Sequence, residues 1–124
     1  MANWTYRCYD DGKSPTLWHR WFSKNENCQG AHDSTFRILE QQESWIGPNW
    51  KRLGPGIGEV KVTAGNVEWR IVGFIRGTQE FVVVAIGYHK QRVYTPRNLL
   101  DDARKLANAC KKDITLAPVC ARPL

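Results

Sequence analysis

Between Glu80 and Tyr88 the chain is almost unbrokenly apolar, with Phe81–Ile86 its longest apolar run. A run of that length is too short for a membrane span, which needs about 20 residues. Flanked by Gly77-Thr78 on one side and Gly87 on the other, it reads as a strand buried on both faces, the centre of a sheet. Two further strands precede it at short spacing. Glu59–Thr63 alternates, Ala64-Gly65-Asn66 turns, and Val67–Arg76 continues to the Gly77-Thr78 turn. Connections this short make an antiparallel meander.

Elements on either side complete the pattern. In residues 3–10, Trp4, Tyr6 and Cys8 alternate with Thr5, Arg7 and Tyr9, predicting a first strand that stops at Asp10-Asp11-Gly12. Ser14-Pro15 resembles a cap followed by proline in the first helical turn, and Leu17, Trp18, Trp21 and Phe22 form the apolar side of a short helix. A second helix is predicted from about Gln29 to Trp45, with Ala31, Thr35, Ile38, Leu39 and Gln42 along one face, ended by Gly47-Pro48. Gly47–Gly58, rich in Gly and Pro, reads as a structured loop. Thr95-Pro96 opens a third helix with Leu99, Ala103, Leu106 and Cys110 on its inner face, and the tail after Asp113 has no periodicity. The expected fold is one α+β domain over residues 1–124, with a core of about 3–112 and a tail of 113–124. Its N-terminal strand and helical hairpin pack on an antiparallel sheet closed by a C-terminal helix. The helices are expected on one sheet face, with the other partly open.

Four cysteines, at 8, 28, 110 and 120, include no Cys-x-x-Cys pair, so zinc is disfavoured. The N-terminus lacks a secretory h-region, which predicts a cytoplasmic, reduced protein in which Cys8 and Cys110 fill apolar positions and the other two are incidental. No cofactor or metal is expected. The chain is 124 residues with a formal net charge of +6, and the excess is concentrated: residues 51–97 hold eight basic side chains against three acidic ones. That suits a polyanion, most simply nucleic acid.

Alternation places Glu59, Lys61 and Thr63 on one face and Val60 and Val62 on the other; Arg70 opposes Trp69 and Ile71 in the next strand. A hairpin therefore sets Lys61 beside Arg70 on the face expected to be open. His89, Lys90, Arg92 and Tyr94 leave the central strand at its end, and Trp50 and Lys51 lie on the preceding loop. Such cations can hold a phosphodiester and stabilise a phosphorane, while an imidazole or phenol moves a proton from a ribose 2′-hydroxyl. The same residues also read as cross-strand ion pairs on a solvated face, and on pattern alone that is the stronger reading. His19 and His32 read as packing or surface residues. Trp18, Trp21 and Trp69 have core spacing, leaving Trp50 as the candidate surface aromatic.

Several segments together resemble the RelE/HigB superfamily of type II toxins, in its phage-derived HigB-like branch. They are Asp11-Gly12-Lys13-Ser14-Pro15 before a Trp-containing helix, Pro48-Asn49-Trp50-Lys51-Arg52-Leu53, Glu59-Val60-Lys61-Val62, Trp69-Arg70-Ile71, and Gly87 through Pro96. The resemblance implies a RelE-like fold and a metal-independent endoribonuclease that cleaves mRNA on the ribosome and inhibits translation. It also implies neutralisation by an antitoxin, expected to be a helix-turn-helix protein. Lys61, Arg70, His89, Lys90 and Tyr94 are the implied catalytic set. Trp50, Lys51, Arg52, Arg76, Arg92 and Arg97 are the implied RNA and ribosome contacts. Gln91 and Tyr94 depart from the family's lysines. A gyrase-type inhibitor and a phage accessory protein that only binds protein are the alternatives. Tyr94 is the favoured proton carrier, with His89 second.

Overall fold

The computed structural model of the protein describes residues 3–124. In chain order it contains β1 (Thr5–Cys8), α1 (Leu17–Lys24), α2 (Gln29–Glu40), β2 (Trp50–Arg52), β3 (Gly58–Ala64), β4 (Val67–Arg76), β5 (Glu80–Lys90), β6 (Val93–Thr95), α3 (Leu99–Lys112) and β7 (Val119–Cys120). Single 3-10 turns lie at Glu26–Cys28 and Ile114–Leu116. The class is α+β with a mostly antiparallel sheet in the order β2-β3-β4-β5-β1-β7. The meander forms in the expected register: Gly58 faces Gly73 and Ala64 faces Val67 across β3–β4, and Glu68 faces His89 across β4–β5. β5 is flanked on both sides, by β4 and by the parallel β1, as its apolar run requires. Val84 is a bulge opposite the Val72–Gly73 step; a Cβ at position 73 would collide with the Val82 carbonyl oxygen, so only glycine fits there.

The helices do not share one face. Trp18 of α1 and Phe36 and Leu39 of α2 pack with Tyr6, Val60, Val62, Ile71, Phe81 and Val83 on one side of the sheet. On the other side α3 lays Leu99, Ala103, Ala107 and Cys110 over Val72, Phe74, Val82 and Val84. The face expected to be partly open is therefore largely covered, because β5 is apolar in both directions and needs two layers. Truncating a buried aromatic such as Trp18 or Phe36 to Ala would cost about 3–5 kcal/mol.

Three further sequence expectations are corrected. α2 stops at Glu40 rather than near Trp45, and it buries His32, Phe36 and Leu39 while Ile38 is 52% exposed. The large aromatic ring sets the phase, and a stripe judged from aliphatics alone is displaced by about a third of a turn. Helix capping also moves: α1 is capped by Thr16, whose hydroxyl accepts from His19 N–H, and α3 follows Asn98. Ser14-Pro15 and Thr95-Pro96, both cis, lie in the turns before them.

The tail, too, is docked rather than free. β7 pairs with β1, Cys120 forms a disulfide with Cys8, and Ala117 is fully buried. Cys120 is thus not incidental, while Cys28 and Cys110 are free and buried. Two residues beyond the disulfide, Arg122 donates to both oxygens of Glu40, at 2.9 and 3.1 Å, and to Asp33 at 3.0 Å, and lies over the Phe36 ring. Tyr6 donates its phenol proton to the same Glu40 carboxylate. No helix among the described residues is long and apolar enough to cross a membrane.

Candidate functional site

Cross-strand pairing collects the chemistry at one end of the meander. Lys61 of β3 sits directly opposite Arg70 of β4, Glu68 of β4 opposite His89 of β5, and His89 opposite Tyr94 of β6. Residues paired in this way share a sheet face. Lys51 of β2, opposite Glu59, lies on that same face. The turn that returns the chain from β5 to β6 places Gln91 and Arg92 at positive φ (51° and 66°), a two-residue hairpin. β6 was not expected from the sequence, and it is what brings Tyr94 back over the cluster.

In place of the solvated Glu59–Lys61 pair expected here, Glu59 pairs with Arg70 and both are buried, 2% and 5% exposed, while the expected Glu68 beside Arg70 stays exposed. Glu59 Oε1 lies 3.2 Å from Arg70 Nε, a charge contact, yet that Nε has no aligned hydrogen-bond acceptor. Nη1 donates to the Trp69 carbonyl at 3.1 Å. Nη2 reaches the exposed Glu68 at 3.7 Å and His89 Nδ1 at 3.5 Å. The His89 and Tyr94 ring centroids lie 4.7 Å apart with the planes tilted by 32°.

The Tyr94 hydroxyl donates to the second oxygen of Glu59 at 2.9 Å. Burial first, and that hydrogen bond second, push its phenol up to about 12. The Tyr94 phenol proton is thus held toward Glu59, which weighs against Tyr94 as a general base near neutral pH. Glu59 itself went unnoticed as a site residue. Its signal was an acidic residue two positions before Lys61, on the same strand face and opposite Lys51.

The cluster sets a half-buried Lys61 against Arg70, two like charges facing each other, with Glu59 compensating one of them. Facing like charges are destabilising in a sheet, and here Glu59 and Glu68 beside Arg70 offset that repulsion. Exposed Lys90, Arg92 and Arg97 lie in and after the adjoining hairpin. The other expected contacts are elsewhere. Arg76 closes the opposite end of β4, six residues from Arg70 and about 20 Å along the strand, paired to Glu80 at 2.7 Å. Trp50 is half-buried and lies on the α1/α2 face, away from the Lys61–Arg70 cluster, where it packs edge-on against Trp45 and Phe81. Arg52 shares that side of β2 by alternation.

His32 is a core residue, as its sequence position suggested. Its Nε2 accepts from Trp18 Nε1 at 3.0 Å, and burial followed by the Arg122 charge pulls its imidazole down to about 3, so it is neutral. No group of three or more His, Cys, Asp or Glu converges in a metal-binding arrangement among the described residues. No family model, curated protein or solved structure matches the chain.

Proposed function

We propose that the protein is a translation-inhibiting toxin of the RelE/HigB kind, which cuts ribosome-bound mRNA by attack of a ribose 2′-hydroxyl and is held in check by a helix-turn-helix antitoxin. The observation that carries this reading is the facing Lys61–Arg70 pair with His89 at the guanidinium's edge. In this mechanism Lys61 and Arg70 hold the non-bridging phosphate oxygens and stabilise the extra negative charge as the 2′-oxygen bonds to phosphorus. Glu59 and Tyr94 aim the guanidinium. Imidazole is the one group in the cluster suited to proton transfer near neutral pH, so His89 moves the proton. As the bond to the 5′-oxygen breaks, that oxygen gains a proton, leaving a 2′,3′-cyclic phosphate. Lys51, Lys90, Arg92 and Arg97 contribute positive potential that draws in RNA.

Ribosomes place the action in the cytoplasm. The Cys8–Cys120 bond meets reducing conditions there, and Arg122 then keeps β7 in place. The test is purified protein with programmed ribosomes and mRNA carrying or lacking a 2′-deoxy substitution at the cut site. Cleavage that leaves a cyclic phosphate or its 3′-phosphate product, blocked by the deoxy substitution and insensitive to chelator at ribosome-preserving magnesium, is expected. Cleavage that survives the deoxy substitution would overturn the reading.

A further inference from the structure

The other end of the sheet carries a second surface, about 20 Å from the cationic cluster along β4. β3 begins at Gly58 opposite Gly73, so Phe74–Arg76 are paired only with β5. The chain that would have continued the ladder turns away instead. Leu53 N–H closes the loop on the Ile57 carbonyl, while α3 pulls the loop over with Arg104 bonded to the Leu53 carbonyl and Lys111 to the Gly56 carbonyl. Among the described residues, no hydrogen bond outside the β5 ladder reaches the backbone of Phe74–Arg76. The edge is left bare.

Beside it opens a cleft of about 780 Å³, lined by Trp4, Trp45, Trp50, Phe74 and Ile75. Arg52 stands at this cleft exposed and makes no ion pair among the described residues; Lys111 adds a second cation, against the single carboxylate of Glu43. The indole Nε1 of Trp45 in this aromatic wall is buried with no hydrogen-bond partner among the described residues. Trp45 is 4% exposed, with Trp4 stacked on it at 4.4 Å and Trp50 and Phe81 against its edges.

We propose that this cleft binds an extended segment of another polypeptide, which adds as a strand to the free edge of β4, sets an apolar side chain against the tryptophan wall and directs an acidic one to Arg52. Strand addition supplies affinity through main-chain hydrogen bonds and selectivity through the alternating side chains. The proposal is independent of RNA cleavage, since none of its residues belongs to the cationic cluster.

The probe is a displayed library of short linear peptides selected on the full-length protein, with the enriched peptide then made synthetically. Enrichment of alternating apolar and acidic residues is expected. The synthetic peptide should slow exchange of the free-edge amides within Phe74–Arg76 and lose at least about tenfold in affinity against Arg52→Glu. Thr78→Trp, at an exposed turn position lining the cleft, should block it. Methylating alternate backbone nitrogens of the peptide, which leaves its side chains intact, should also abolish binding. Failure to enrich any sequence above an unrelated control protein overturns the proposal, as does binding that survives Thr78→Trp or backbone methylation. Displacement of the peptide by a short oligouridylate overturns it in favour of a nucleic-acid site.

Discussion

Two arginines of this protein are nearly as buried as each other and do opposite things. The side chain of Arg122 is 8% exposed and that of Arg70 is 6% exposed. Arg122 is matched atom by atom: a fork on Glu40, a third bond to Asp33, and the Phe36 ring beneath its plane. It hydrogen-bonds Asp33 and thereby holds that carboxyl below the usual range. Arg70 sits 3.2 Å from Glu59 without an aligned bond from Nε, faces another cation, and turns Nη2 toward a histidine at the margin. Full satisfaction marks Arg122 as a clasp that fastens the C-terminus to α2. Arg70 is shared among Glu59, Glu68 and the Trp69 carbonyl, with Nη2 at the margin beside His89, where the proposed phosphate contact would be made.

That contrast can be broken by substitution. The largest effect is expected for Arg70→Ala, which strands the buried Glu59 carboxylate and should cost about 3–5 kcal/mol. Adding Glu59→Gln should return part of that stability without returning RNA cleavage, measured by urea unfolding beside the ribosome assay. Arg122→Ala should cost somewhat less, about 3 kcal/mol, because Glu40 and Asp33 regain water when released. Its cleavage should be retained at a temperature where the variant is folded. If both variants lose cleavage in proportion to their instability, the distinction fails.

Acid sharpens the comparison from the clasp side. His32, beneath Arg122, is neutral when folded, with an imidazole at about 3, and binds a proton near 6.5 when unfolded. The unfolded chain therefore holds more protons between those values, and stability falls as pH drops through that window, with a limiting slope of about 1.4 kcal/mol per unit. His32→Phe, with wild type alongside, should flatten unfolding free energy against pH between about 6 and 4. An unchanged slope would show that His32 is not the group responsible. The smallest effect is expected for Tyr94→Phe. It removes one donor from Glu59, costs about 1–2 kcal/mol, and leaves the pH profile of cleavage in place because the phenol keeps its proton up to about 12. A profile that loses a limb on this substitution would restore Tyr94 as the proton carrier.

The meander was legible because its signals are local. Alternation in Val60–Val62 and Trp69–Ile71, with short turns, fixes register, and register alone puts Lys61 opposite Arg70. What the sequence hid is set by distant chain. Glu59 reads as a solvent-facing residue until β6 brings Tyr94 back to bond it, and Arg70 is packed beside Glu59 and His89. The Cys8–Cys120 bond and Arg122 clasp join residues 112 and 82 positions apart, beyond any pattern read along the chain. Trp50 misled because its neighbours are Lys51 and Arg52; alternation in β2 points it to the opposite face from Lys51, into the aromatic core.

The most direct test exchanges each arginine for lysine, which keeps the charge but loses the planar fork. Cleavage of ribosome-bound mRNA would be measured on folded samples of Arg70→Lys and Arg122→Lys beside wild type. The account expects cleavage by wild type, a loss of about 100-fold or more for Arg70→Lys, and a wild-type rate for Arg122→Lys despite its lower melting temperature. No cleavage by wild type, or equal rates for the two variants, would contradict it.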